Sequence, residues 1–302
     1  MLKINYPKDI EKEYYKRISK SKAEKFNGLT FEEYYDKHYK PKLGYDLENI
    51  LCGDFQKLNE IKNRLSTKYK NDNSIKKLFN YDKSSSQKLQ VLISKLQPKI
   101  SKFIEVHVAV HTCYFCNIEY INKFENSKRE TKNAFTLDHM IDKATYPFLA
   151  LSLYNLVPSC YTCNSKVKRT NEIKNLSPSD TRFDFEKKVK FKTFMNNQNM
   201  QMENNNDFEL LLKEDFSNVY DDYIKILELD SRYKYHKNKV IEMINKRRDY
   251  PESRIKELSI LTQKTEEEVK QDLFGIYLKE DLHKRPLSKL IKDISEELGL
   301  TK

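Results

Sequence analysis

Cys113 and Cys116, in TCYFCN, and Cys160 and Cys163, in SCYTCN, form two Cys-x-x-Cys pairs. Zinc takes soft thiolate donors at four tetrahedral corners, and each such turn supplies two. Four protein ligands leave the ion no open position, so a site of this kind is structural and not catalytic. Asp138-His139 stands between the pairs, inside Leu137-Asp138-His139-Met140; Asn155 precedes the second pair and Asn164 follows it. Asp offers a hard oxygen ligand for a divalent ion such as Mg²⁺, and His offers a base of near-neutral pKa. Taken alone an Asp-His pair reads as structural; its place between the two cysteine pairs turns the reading toward chemistry that needs a cation for developing negative charge and a base for an attacking water.

These groups need positioning. Residues 134–137 read as a short strand ending at Asp138-His139, and the second pair reads as the start of a helix. Residues 117–159 are a long spacer for a plain zinc ribbon, so the segment must hold structure of its own. Zinc binding at such a site contributes about 10–16 kcal/mol, enough to anchor a module too small to build a core. His111 is surplus beside four cysteines and is expected to support the first turn. Tyr146 is expected to pack rather than line a groove.

The flanks read as helical arms. Phe31–His38, residues 47–65 and the stretch from Gln87 carry helix-like apolar spacing, with Leu89, Leu92, Ile93 and Leu96 on one face. Pro98 is expected to kink or end that last helix, and the polar residues 68–86 to form a loop. Phe183, Phe185, Val189 and Phe191 alternate as in a short hairpin. Residues 196–206, rich in Asn, Met and Gln, read as a mobile loop. From Phe208 the pattern is helical again. Thr265 with Glu268 fits a capping box, and Leu287, Leu290, Ile291, Ile294 and Leu298 form a stripe between Pro286 and Gly299. The expected class is α+β, mainly α: a helical region at 1–105, a metal module at 106–172, a hairpin and flexible linker at 173–207, and a helical region at 208–302.

The chain has 302 residues, 33% charged and 38% apolar, with a net charge of +11. An excess of that size attracts polyanions, of which nucleic acid is the commonest in cells. No run approaches the ~20 apolar residues of a membrane span, and the first residues do not resemble a signal peptide. Cysteine pairs in such a chain favour metal in a reducing cytoplasm over disulfides. Cys52 is left over as a small buried hydrophobe.

From Tyr154 to Lys166 the order of residues becomes specific: Asn155-Leu156, then Cys160-x-x-Cys163-Asn164, then Lys166. With the first pair and the strand ending in Asp-His, this order resembles the four-cysteine branch of the HNH endonucleases over roughly residues 113–168. The resemblance implies a ββα-metal finger related to treble-clef zinc folds. It implies His139 as general base, Asp138 and Asn164 as ligands of a catalytic Mg²⁺ or Mn²⁺, and Asn155 as the brace that orients His139. It implies Cys113, Cys116, Cys160 and Cys163 as structural zinc ligands. Asn164 stands where many relatives have His, which favours a hard, oxygen-preferring catalytic metal. Lys143, Lys166, Lys168 and Arg169 flank the site as candidate phosphate contacts. Asp142-Lys143-Ala144-Thr145-Tyr146-Pro147 and the tail from Lys284 to Leu290 resemble bacterial HNH proteins of defence or mobile-element settings.

Two functions are expected to compete. One is a metal-dependent DNA endonuclease, with RNA still open as substrate. It would act as a homodimer or beside a partner such as an ATPase of a defence system. The other is a non-catalytic zinc module that binds nucleic acid or protein. The second needs the cysteines alone; the first needs Asp138, His139, Asn155 and Asn164 as well.

Overall fold

A computed structural model describes residues 1–23, 26–79, 90–196, 202–277 and 280–301, with the side chains of 90–95 and 131 outside the description. The fold is α+β and mainly α: fourteen α-helices and three two-stranded antiparallel sheets among the described residues. It divides into two units. One comprises Lys3–Val110 and Ile121–Phe183; the other comprises Met1–Leu2, His111–Tyr120 and Asp184–Lys302.

The first of these units opens with seven helices: α1 (Ile10–Ser19), α2 (Phe31–His38), α3 (Lys40–Leu43), α4 (Leu47–Cys52), α5 (Phe55–Tyr69), α6 (Asn73–Phe79) and α7 (Gln90–His107). α2 starts at a capping box: Thr30 Oγ1 accepts from Glu33 N, and the Glu33 carboxylate accepts from Thr30 N. The continuous apolar spacing over 47–65 is cut at Gly53. A Cβ there would lie 2.4 Å from the Asn49 carbonyl oxygen, and Asp54 caps the next helix by accepting from Lys57 N at 2.7 Å. α5 buries Phe55, Leu58, Ile61 and Leu65, each worth about 1.5–3 kcal/mol when removed from water.

One expectation fails here, and so does one half of another. The polar stretch 68–86 holds α6, because Asp72 Oδ1 accepts from Ser74 N and Ile75 N and starts a helix whose Ile75, Leu78 and Phe79 are buried. Its residues 80–86 lie outside the described ones, as do Gln87 and Leu89. Pro98 does not end α7, which runs through it. Leu96, Ile100, Phe103 and Ile104 are all buried, and four such side chains outweigh the ~3 kcal/mol that an interior proline costs.

After α7 come two hairpins. β1 (Lys123–Glu125) pairs with β2 (Thr131–Asn133). β3 (Thr136–His139) pairs with β4 (Leu156–Ser159), with Asp138 opposite Val157 and His139 opposite Leu156. A π-helical segment, Thr162–Lys168, follows β4 after Cys160 and Tyr161. The loop between β3 and β4 is tied to the helices: Tyr14 Oη of α1 donates to Leu151 O at 2.7 Å, and Tyr154 Oη donates to Glu11.

In the other unit, Asp184–Lys302 begins with α8 (Phe185–Lys188), a single turn where alternation suggested strand. β5 (Val189–Met195) then pairs with β6 (Phe208–Glu214) over its whole length. Phe208 thus opens a strand and not a helix, and the alternating Phe208, Leu210 and Leu212 are buried. Of the expected mobile loop 196–206, residues 197–201 lie outside the described ones. Helices follow: α9 (Asp221–Ile226), α10 (Leu229–Tyr233), α11 (Lys237–Asp249), α12 (Glu252–Thr262), α13 (Glu266–Phe274) and α14 (Ser288–Glu297). Thr265 and Glu268 form the expected capping box of α13. α14 buries Leu290 and Ile294, and Gly299 adopts φ 66° just beyond its end.

Candidate functional site

β3 delivers Asp138 and His139 to the mouth of the β3–β4 loop, both buried at 4% and 8% exposure. Within the loop, the Asn155 amide closes the chain on itself. Asn155 Oδ1 accepts from Ile141 N at 2.7 Å, and its Nδ2 donates to Ile141 O at 3.0 Å and Leu149 O at 2.9 Å. Its backbone carbonyl also accepts from Met140 N at 3.0 Å. The fold so fixed carries Ala150, whose carbonyl oxygen lies 2.9 Å from His139 Nε2. A carbonyl only accepts, so Nε2 carries the proton and Nδ1 is the lone-pair nitrogen. Burial pushes the His139 pKa down to about 3, and the Lys143 and Lys168 charges add to this while the Ala150 bond opposes it. The ring is therefore neutral at pH 7.

Asp138 faces the opposite penalty. Burial pushes its carboxyl up to about 6, and the Lys168 ammonium pulls it back. Lys168 is itself buried, at 2% exposure; its Nζ lies 3.2 Å from Asp138 Oδ2 and donates to His139 O at 2.9 Å. Lys168 Nζ donates to Asp138 Oδ1 at 3.4 Å, while Oδ2 receives no hydrogen bond and is compensated by the ion pair alone.

A cavity of about 190 Å³ opens beside these groups, lined among others by Asp138, His139, Lys143, Asn164, Lys168 and Arg169. Asp142 also borders it. Burial alone would raise its carboxyl, but donation from Thr145 Oγ1 and from Thr145 N at 2.8 Å holds it low. Three cations against two carboxylates leave the lining electropositive. Asn164 reaches the cavity from the π-helical segment, where Arg169 N donates to Asn164 O at 3.0 Å across five residues. Such widened turns recur at functional sites. A carboxylate oxygen and an amide oxygen on one cavity are donors that suit a hard divalent cation.

Four thiols form the other cluster. Cys113, Cys116, Cys160 and Cys163 are buried, and their sulfurs lie within 4.8 Å of one another. Zn–S bonds of about 2.3 Å set tetrahedral sulfurs about 3.8 Å apart, so the four could hold a metal ion and are compatible with structural zinc. Backbone amides point at two of them: Ile118 N donates to Cys116 Sγ and Cys163 N to Cys160 Sγ, each at 3.4 Å. N–H donors of this kind favour thiolate, the form a metal binds.

The remaining sequence candidates separate. Lys143 is half-buried on the cavity wall, and Lys166 and Arg169 are exposed. Lys168 is a buried partner of Asp138, a role that the run Lys166-Val167-Lys168-Arg169 gave no means to foresee. Tyr146 packs edge-on to Phe148 and lies under the Lys62 ammonium. His111 stacks parallel to His283 at 5.8 Å. Asn117 repeats the Asn164 pattern, Asn directly after Cys-x-x-Cys; it is fully buried and binds Thr112, Leu282, Arg285, Ser288 and Lys289. No helix among the described residues is long and apolar enough to cross a membrane. Comparisons with protein-family models, with curated proteins and with solved structures find no match.

Proposed function

We propose that the protein is a metal-dependent endonuclease of the HNH type that hydrolyses DNA phosphodiester bonds in a prokaryotic defence or restriction setting. The observation that carries this reading is one electropositive cavity bordered by Asp138, His139 and Asn164. β3, β4 and the π-helical segment would be the ββα-metal finger. Asp138 and Asn164 would hold Mg²⁺ or Mn²⁺, which stabilises negative charge on the phosphate and leaving oxygen when bound. His139 Nδ1 takes a proton from the attacking water while Nε2 stays tied to Ala150 O. An anionic phosphate in the cavity raises the basicity that burial depresses. Asn155 orients the base by fixing the loop that carries Ala150. Lys143 and Arg169 favour entry of the phosphate, and the four cysteines hold structural zinc.

One such site cuts one strand, so duplex breaks call for a second protomer or a partner such as an ATPase. A second reading, a zinc module that binds nucleic acid or protein without catalysis, is favoured by one observation: Lys168 already sits against Asp138 as a structural partner would. Plasmid cleavage separates the two. With Mg²⁺ or Mn²⁺ the wild type is expected to nick or linearise DNA, and EDTA is expected to stop it. His139→Ala and the more isosteric His139→Asn are expected to lose about 10²–10⁴-fold in rate with zinc content and melting temperature kept. Undiminished cutting by both variants would remove His139 from the mechanism.

A further inference from the structure

A second cavity, of about 280 Å³, adjoins the first in the same unit and shares Leu137, Lys143 and Asn164 with it. Apolar side chains line it: Leu137, with Ile100 of α7 and Phe135 at 2% and 8% exposure. Gln97 and Ser101, both from α7, add polar residues to the lining. β3 runs from one cavity to the other, with Thr136 lining the second and Asp138 the first. At about 3.3 Å per residue these two positions lie about 7 Å apart. A phosphate beside Asp138 and His139 therefore places its neighbouring nucleotide at the second cavity, and Lys143 lines both.

The shape and chemistry limit what enters. Apolar lining from Ile100, Phe135 and Leu137 suits the π-face of a base, and an amide and a hydroxyl side chain in the same lining suit its hydrogen-bonding edge. A base stacked and paired within a duplex presents neither face to a recess; only an unpaired or flipped base reaches one. Resting on the nuclease reading above, we infer that this second cavity is a base-binding subsite for an unpaired nucleotide next to the scissile phosphate. The preferred substrate is then single-stranded DNA, or duplex with an unpaired base beside the cut. Gln97 and Ser101 are specificity-determining residues that α7 contributes from outside the cysteine-bounded segment.

The test uses the full chain with its metal and a fluorescein-labelled single-stranded oligodeoxynucleotide, compared with the same sequence as duplex. Anisotropy is read in EDTA at a concentration that blocks cutting but spares the zinc. Ser101→Trp fills the cavity, and because the chain has no other tryptophan its emission reports whether the ring is buried. Single-strand binding is expected to weaken about tenfold, the worth of one stacked base, and duplex binding less than about twofold. Gln97 is exposed, so Gln97→Ala retains the fold. It is expected to raise KM for the single strand about fivefold with kcat within about twofold, and to change the preferred base beside the cut. Unchanged single-strand affinity and base preference in both variants would overturn the subsite, as would equal losses on duplex and single strand. His139→Ala keeps the two readings apart. Cutting that depends on His139 but ignores Gln97 and Ser101 leaves the nuclease and sinks the subsite. Base-selective binding lost in Ser101→Trp, without any cutting, leaves the subsite and sinks the nuclease.

Discussion

Asn117 and Asn164 each follow a Cys-x-x-Cys pair, and each donates its backbone N–H to the carbonyl of the first cysteine, at 2.8 and 3.1 Å. The turn treats them alike; the chain beyond does not. Asn117 enters the left-handed region at φ 53°, where asparagine is tolerated. There its amide group joins Thr112, Leu282, Arg285, Ser288 and Lys289. Asn164 continues into a π-helical segment and faces two cavities. One five-residue pattern thus yields a structural anchor in one place and a cavity-lining amide in the other. The backbone conformation after the second cysteine makes the difference.

Four experiments break or sharpen that contrast, from the largest effect down. Stripping zinc with a strong chelator, or substituting Cys113→Ser or Cys160→Ser, removes about 10–16 kcal/mol of metal binding. That exceeds the stability of most domains, so both substitutions are expected to abolish the cooperative melting transition alike. A variant of either pair that melts like the wild type would show that the four thiols do not share one ion. Next comes Asn117→Ala, which strands several buried partners at about 1–3 kcal/mol each. A loss of about 3 kcal/mol or more is expected in urea denaturation, with cleavage per folded molecule retained. Asn164→Ala should do the converse. Stability is expected to stay within about 0.5 kcal/mol, while plasmid cutting falls on the order of 100-fold. If Asn164→Ala unfolds the chain as Asn117→Ala does, the distinction between anchor and site is lost.

The smallest effect concerns the surroundings of Asn117. The backbone of Lys289 donates to Asn117 Oδ1, and its side chain is fully buried against Asp293. Burial pushes the Lys289 ammonium down to about 8 from its ordinary 10.5, against the pull of Asp293. Between those values the unfolded chain keeps a proton that the folded chain has released, so this group makes stability rise with pH across the window. Urea midpoints measured from pH 8 to 10.5 are expected to rise in the wild type relative to Lys289→Met. A difference that stays flat would mean the ammonium is not depressed.

Local signals read from the chain were those that physics keeps local. Thr265 and Glu268 cap α13 because both partners lie within one turn. The strand ending at Asp138-His139 and the helix Phe31–His38 are visible in short-range spacing. Pro98 does not end α7 because its cost is local and the burial of Ile100, Phe103 and Ile104 is not. Phe208 misled because its strand exists through β5, thirteen or more residues upstream. Lys168 reads as a phosphate contact because nothing within its own segment reveals a carboxylate thirty residues earlier.

By itself, then, the sequence determined which donors exist and in what order: four thiols, a carboxylate, an imidazole and three amides at Asn117, Asn155 and Asn164. It also determined the caps and short strands that begin and end their elements. Tertiary structure decided which of two equivalent asparagines is sealed in and which faces a cavity. It decided that Lys168 is buried, that the Ala150 carbonyl sets the His139 tautomer, and that α7 brings Gln97 and Ser101 beside Asn164. The physical reason is that donor type and turn geometry are properties of a few bonded neighbours. Burial, charge pairing and cavity shape are properties of groups that meet only once distant segments pack.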